Sequence, residues 1–208
     1  MTQQNTRPLP YIWFMFILLA LIVYTLPWVI GSGASLSFGA FDLAEWASLH
    51  PSAREMSPML LTSFLLRLPL VCITWIMALN APPHPFKSAL WWVYSLICLV
   101  LVALSAPPLE FLTIFRDDVN YIQQAFLTLI ALVGALFGLS GIFKPYRLYI
   151  AISVCMIGGI ASFWGGISGY NLLIGFGLGV AIGIGMIASV GIFAFIAIYI
   201  VIESKRRS

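Results

Sequence analysis

The chain has 208 residues, of which 62% are hydrophobic and only 8% charged. An average soluble domain is roughly 25% charged, so this composition excludes a water-soluble globule and makes lipid the solvent for most of the chain. A formal net charge of +3 gives no reason to expect nucleic acid as a partner, and the length suits a single transmembrane domain over residues 1–208, an all-α bundle without a soluble module.

Six apolar stretches are long enough to cross roughly 30 Å of hydrocarbon. They lie at about 10–30, 57–79, 88–105, 121–142, 148–168 and 172–202. The first follows Arg7 and has the look of a secretory signal. Its run from Tyr11 to Ile30 exceeds the roughly 7–15 residues of a signal core, so a first transmembrane helix is expected. Ser57-Pro58 suits the cap and first position of the second helix. Asn80-Ala81-Pro82-Pro83-His84-Pro85 stops it, Ala106-Pro107-Pro108 stops the third, and Lys144-Pro145-Tyr146-Arg147 turns the fourth into the fifth. The last run, Asn171 to Glu203, would span about 50 Å as one helix; a tilted helix with a protruding end is expected.

Charge orients these spans. The termini and the loops 80–87 and 143–147 hold Arg7, Lys87, Lys144, Arg147, Lys205, Arg206 and Arg207, seven of the ten basic residues. By the positive-inside rule that side is cytoplasmic, which puts both ends inside and requires an even number of spans. The opposite side keeps Arg54 and Arg116 with six of the seven acids. Tyr11, Trp13, Trp28, Trp91, Trp92, Tyr121, Tyr146, Tyr149 and Tyr170 sit near the expected helix ends, at headgroup level. The expected setting is the plasma (inner) membrane of a bacterium.

The first outer loop carries Phe41 to His50 with helical periodicity. Asp42, Glu45, Ser48 and Ser52 form one polar stripe, with Leu43, Trp46, Ala47 and His50 on the other side. This describes a short amphipathic helix lying in the interface or covering the bundle mouth. Asp42, Glu45 and Trp46 are the candidate residues for docking a partner there. His50 does not share the face of the two acids, so no metal site is expected. The second outer loop, Glu110 to Asp118, is half apolar and half acidic and is expected beside the first as a lid.

Arg67 stands out, because a charged side chain deep in a span costs at least ~2.5–3.5 kcal/mol. It should face the bundle interior or a wet cavity. Pro69 frees a backbone carbonyl nearby, and no acid lies inside any span. The remaining candidate partners are backbone carbonyls, Gln123 or Gln124, outer-loop acids folded inward, and an anionic ligand. Three roles stay open for Arg67: a structural clamp, contact with a lipid phosphate or another subunit, and a transported anion.

Small residues recur at four-residue spacing in the last three helices. Gly134 and Gly138 make one pair, and Gly158, Ser162 and Gly166 a row. Gly175, Gly179 and Gly183 make another row, beside Gly177, Ala181, Gly185 and Ser189. Such rows let helix backbones approach closely. Packing within the bundle accounts for most of them, while two adjacent rows on one helix leave a face for another subunit, a lipid tail or a pigment ring. A substrate path past glycine-broken helices is a third reading.

Cys72, Cys98 and Cys155 lie singly in apolar runs, without redox or zinc spacing, and are expected to act as small apolar residues. His50 and His84 are both in loops, so neither a bis-histidine haem nor an intramembrane serine–histidine pair is available. There is no phosphate-binding GxxxxGK[ST] loop and no carboxylate inside a span for a proton relay. No cofactor and no catalytic residues are expected. The chemistry points first to a non-catalytic membrane subunit packed against other subunits of an energy-converting or transport complex, or forming a homo-oligomer. The alternative is a small transporter or channel with Arg67 and the glycine-rich last helix lining its path.

Overall fold

The computed structural model describes residues 10–32, 36–56, 60–82 and 88–207. In chain order they form α1 (Pro10–Thr25), β1 (Val29–Gly31), β2 (Ser37–Phe38), α2 (Ala40–Leu49), α3 (Pro51–Met56), α4 (Leu61–Leu79), α5 (Ala89–Leu104), α6 (Val119–Ser140), α7 (Arg147–Gly175), β3 (Val180–Ile182) and α8 (Ile184–Arg207). Two 3-10 turns, Leu109–Leu112 and Lys144–Tyr146, precede α6 and α7. The expected helix start at Ser57-Pro58, the turn at His84, and Arg7 and Lys87 lie outside the described residues.

The bundle is organised around α4. Fourteen of its nineteen residues are buried, all round the helix, as expected of an element at the centre rather than on a surface. It packs against α1, α2, α5, α6 and α7. Its neighbours bury one face each. On α6 that face is Asn120, Gln124, Leu127, Ala131, Gly134 and Ala135, a three-and-four spacing that keeps one stripe turned towards α4. The opposite face exposes Ile122, Phe126, Leu129 and Leu136. Exposed apolar belts continue on α5 (Leu96, Leu99, Val100), α7 (Met156, Ile160, Trp164) and α8 (Ile187, Phe195, Ile198). In water such continuous surfaces would drive aggregation; against acyl chains they need no cover. α4, α6, α7 and α8 are long and apolar enough to cross a membrane, with α1 and α5 as shorter apolar helices, an arrangement compatible with a membrane-embedded protein. α5 has 16 residues, about 24 Å of helix.

The last two expected spans need correction. The fifth runs on to Gly175, seven residues past its expected end at 168, and the sixth is not one continuous tilted helix from Asn171. The reason lies in Gly177, at φ +73°. Its N–H donates to Ile174 O at 2.8 Å, and that of Leu178 to Leu173 O at 3.2 Å. This pair of bonds is a Schellman stop, which requires a left-handed residue that glycine supplies without a Cβ penalty. The chain then forms β3, pairing antiparallel with β1 (Val29↔Ile182, Ile30↔Ala181, Gly31↔Val180), while β2 pairs on the other edge of β1 (Val29↔Phe38, Ile30↔Ser37). Gly175, Gly179 and Gly183 are therefore a helix end, a turn and a strand exit, not a helical row. Ala181 lies in β3, and Gly185 begins α8.

The other small residues face side chains of the same chain. A Cβ on Gly134 would overlap the Trp75 ring, one on Gly138 would press on Ala78, one on Gly158 on Phe193, and one on Gly166 on Met186. Ser162 and Ser189 share a hydrogen bond of 2.8 Å between α7 and α8, so each satisfies the other's hydroxyl in an apolar contact.

At one end of the bundle lie the sheet, α2, α3 and the 3-10 turn before α6, called the sheet end below. At the other, Arg147 hydrogen-bonds Asn80 and Trp91 Nε1 donates to Leu139 O at 3.2 Å.

The sheet is tied to α8 where Gly183 N–H donates to Trp28 O and Gly185 N–H to Pro27 O, both at 2.8 Å. A Cβ at Gly183 would overlap the Pro27 carbonyl, a backbone atom that cannot swing aside. Gly183→Ala is expected to cost about 2 kcal/mol, read as a lower melting temperature in detergent. Gly191→Ala, where nothing lies within 4 Å of the added Cβ, is expected to be no less stable than the parent, since alanine is the better helix former.

A candidate binding site at Arg67

Arg67 is the seventh residue of α4 counted from the sheet end, and it is 7% exposed. Its Nη1 donates to Asn120 Oδ1 at 2.6 Å, on α6. Its Nη2 donates to Ser48 Oγ at 3.3 Å, on α2. The Ser48 hydroxyl in turn donates to the Glu45 carbonyl at 3.0 Å. Nε is buried and has no partner. Among the described residues no carboxylate lies within ion-pairing distance of the guanidinium. The buried cation is thus held by two neutral side chains, with one donor unsatisfied.

Each partner is positioned from its own element. Asn120 sits in the first turn of α6, whose N-cap is Asp118. The Asp118 carboxylate accepts from the Asn120 backbone N–H at 2.8 Å and from Arg54 Nη2 on α3 at 2.7 Å. This capping satisfies an otherwise orphaned helix donor and fixes where the Asn120 side chain emerges. Arg54, Asp118, Asn120, Arg67 and Ser48 form one run of contacts that joins α3, α6, α4 and α2.

The expected protein partners of Arg67 are not the ones it bonds, which are Asn120 and Ser48. Gln124, one turn beyond Asn120, lines the same cavity. Gln123 does not reach it; its Nε2 donates to Leu60 O at 3.2 Å. Leu60 holds a left-handed φ of +48° just before α4, a conformation that costs a leucine about 1 kcal/mol or more. No carbonyl freed by Pro69 takes the guanidinium.

Of the two placements expected for the amphipathic helix, α2 takes the one that covers the end of the bundle. It packs on α4 and α7. Its apolar side, Leu43, Ala44 and Ala47, is fully enclosed, and Gly169 of α7 leaves room for Leu43. Its polar stripe turns partly inward, with Ser48 buried on Arg67 and Glu45 half-buried on the cavity. Asp42 stays exposed and caps the helix by accepting from Gly39 N–H at 3.2 Å. Trp46 stacks on His50 with centroids 4.9 Å apart and meets Phe176 edge-on at 5.2 Å. The three candidate docking residues are thus engaged differently: Asp42 in the cap, Glu45 on the cavity and Trp46 against His50 and Phe176.

The cavity has a volume of about 280 Å³. Tyr24, Glu45, Arg67, Asn120, Tyr121 and Gln124 supply its polar lining, and Leu70, Val71 and Leu127 the apolar part. Tyr24 already donates its hydroxyl to Leu66 O at 3.1 Å. The arrangement suits reversible binding of an anionic group. A guanidinium in low dielectric attracts an oxyanion strongly and presents a planar fork of donors to it.

Burial tends to raise the Asp118 pKa, but the bonds from Arg54 and from the backbone of Asn120 and Tyr121 outweigh it and hold the carboxyl below its ordinary value. The folded-state value lies below the unfolded one. The pair's contribution is therefore complete above the unfolded pKa, roughly 3.9, and is lost as pH falls through the folded value. Asp118→Ala is expected to destabilise by about 1–2 kcal/mol, combining a lost cap and a partly exposed ion pair. Asp118→Asn keeps the cap and should recover most of that loss, with a flatter stability profile below about pH 4. Thermal melts from pH 3 to pH 7 would check both.

Comparison of the chain with protein-family models, with curated proteins and with solved structures gave no match.

Proposed function

We propose that the chain is a membrane protein of six spans, with both ends on the cytoplasmic side, that binds a small ligand at Arg67 and serves as a small transporter or carrier rather than as an enzyme. The observation that carries this reading is a guanidinium buried on the cavity wall with neutral partners only. Removing such a group from water costs several kcal/mol, and neutral hydrogen bonds recover only part of it. A cation kept there without a carboxylate in direct contact is a candidate site for an anionic group.

The topology is supported by the same charge bias that orients the sequence. Lys144, Arg147 and Lys205 belong to the end opposite the sheet, while Asp42, Glu45, Glu110, Asp117 and Asp118 gather at the sheet end. The cavity then opens on the non-cytoplasmic side. Membership of a larger complex, the first reading of the sequence, drew part of its support from small-residue rows left free for a neighbour, and the rest from the lack of catalytic chemistry and the small extramembrane mass. The adjacent rows at 175–185 are interrupted by β3 and so form no helix face, and Gly134, Gly138, Gly158 and Gly166 on α6 and α7 meet Trp75, Ala78, Phe193 and Met186 of the chain itself.

Purification in mild detergent followed by native mass spectrometry tests the proposal. The expected species is the chain carrying a bound mass of small-molecule size, absent from the Arg67→Ala variant. A stoichiometric protein partner retained by both forms, without any such mass, would overturn the proposal in favour of a complex subunit.

A further inference from the structure

We infer that the Arg67 cavity receives the headgroup of a zwitterionic phospholipid of the phosphoethanolamine class, phosphate against Arg67 and ammonium towards Glu45, a reading that rests on the ligand-binding role proposed above. Four observations lead to it. The first is the unsatisfied half of Arg67. Its Nε–H is buried without a partner, and a phosphate oxygen is the acceptor best matched to a guanidinium fork.

The second is Glu45. Its carboxylate lines the same cavity, its charge acts on Arg67, and no residue described here pairs with it. A purely anionic ligand would bring its charge against that carboxylate in a small space. A zwitterion satisfies both groups, and Tyr24, Phe41 and Tyr121 on the lining add aromatic rings of the kind that favour ammonium groups.

The third is size. A cavity of about 280 Å³ lies at the lower edge of the roughly 300–1,000 Å³ of small-molecule pockets. It suits a headgroup, with the acyl chains left outside.

The fourth is the character of the mouth. The most exposed lining residues include the large apolar Phe41, Leu49 and Leu104, the last 57% exposed at the end of α5, while Glu45, Ser105 and Tyr121 are half-buried. From lining residues Ala106 and Pro108 the chain runs straight into Leu109, Leu112 and Ile114, which are 82%, 64% and 75% exposed. Such a tract is costly in bulk water and favourable at the boundary of headgroups and acyl chains. It places the mouth where a phospholipid headgroup already lies.

The test is to reconstitute the full chain in nanodiscs of phosphatidylglycerol with a minority of phosphatidylethanolamine, and then to identify by native mass spectrometry which lipid survives delipidation. The parent is expected to retain phosphatidylethanolamine about tenfold above its share of the disc, the worth of one charge-assisted hydrogen bond. Glu45→Gln should bring that ratio to the bulk value while phospholipid is still retained. Arg67→Met should retain neither lipid. Equal retention of both lipids by the parent, or an unchanged preference in Glu45→Gln, overturns the inference. Glu45 is half-exposed, so its variant decides the question even where Arg67→Met fails to fold. Arg67-dependent retention of phosphatidylglycerol without an amine preference leaves the binding role standing and removes only the headgroup assignment. Loss of all Arg67-dependent ligand removes both. Soluble phosphoethanolamine that displaces the lipid and is itself retained by the parent, but not by Arg67→Met, would move the source to solution and overturn the lipid origin.

Discussion

A guanidinium withdrawn from water has to be surrounded by acceptors, and at the sheet end of this bundle much of the structure is arranged around that demand. Arg67 is on the most buried helix, so its partners must come from other elements. Ser48 arrives on α2, which is folded inward over the end of α4; Asn120 arrives on α6, whose first turn is set by the Asp118 cap. The Arg54–Asp118 pair then fastens α3 to the same cap. An exposed ion pair of this kind contributes at most about 1 kcal/mol. Its importance is positional, because the same carboxylate orients the residue that meets Arg67.

The second constraint is the break between α7 and α8. An unbroken helix from Arg147 could not return through the bundle, and Gly177 provides the reversal without strain. The returning segment leaves backbone donors and acceptors that need partners outside a helix. β3 pairs them with β1, and Gly183 and Gly185 continue the pairing to Trp28 and Pro27. The sheet is small because its task is local. It anchors the chain ahead of α2, which is presented to α4 and α7.

Much of the helical framework was legible in the sequence because apolar length is a strong signal. The starts of α5, α6 and α7 fall within two residues of expectation. Asp118 as an N-cap was equally readable, and it would have placed Asn120 inside α6 on the face of Gln124 and so beside Arg67. The expectation instead began that helix at 121 and reached for the glutamines. The last helix was misread because a four-residue glycine spacing has two physical meanings. It permits close helix contact, and it also supplies left-handed caps and tight strand exits. Only the tertiary pairing with β1 selects the second meaning for Gly177 and Gly183. The inward turn of α2 was hidden for a related reason. A stripe of Asp42, Glu45 and Ser48 reads as a solvated face unless a buried cation is known to lie opposite.

Whether Arg67 is a clamp or a receptor for a ligand can be argued from what each role requires. A clamp is improved by saturation: every donor paired, preferably with a carboxylate, and no space left beside it. Leaving a buried donor unpaired costs about 1–3 kcal/mol, and a cavity forfeits packing besides. Arg67 has an unpaired Nε–H, neutral partners and an adjoining cavity. Glu45, the one carboxylate among the described residues lining that cavity, is not drawn into contact. Those features weaken a clamp and are what a reversible anion site needs, since a guanidinium already neutralised by a fixed carboxylate would have little affinity left for a ligand. Asn120 and Ser48 supply the compromise. They hold the side chain in one orientation through hydrogen bonds worth about 1 kcal/mol each while leaving its charge unspent.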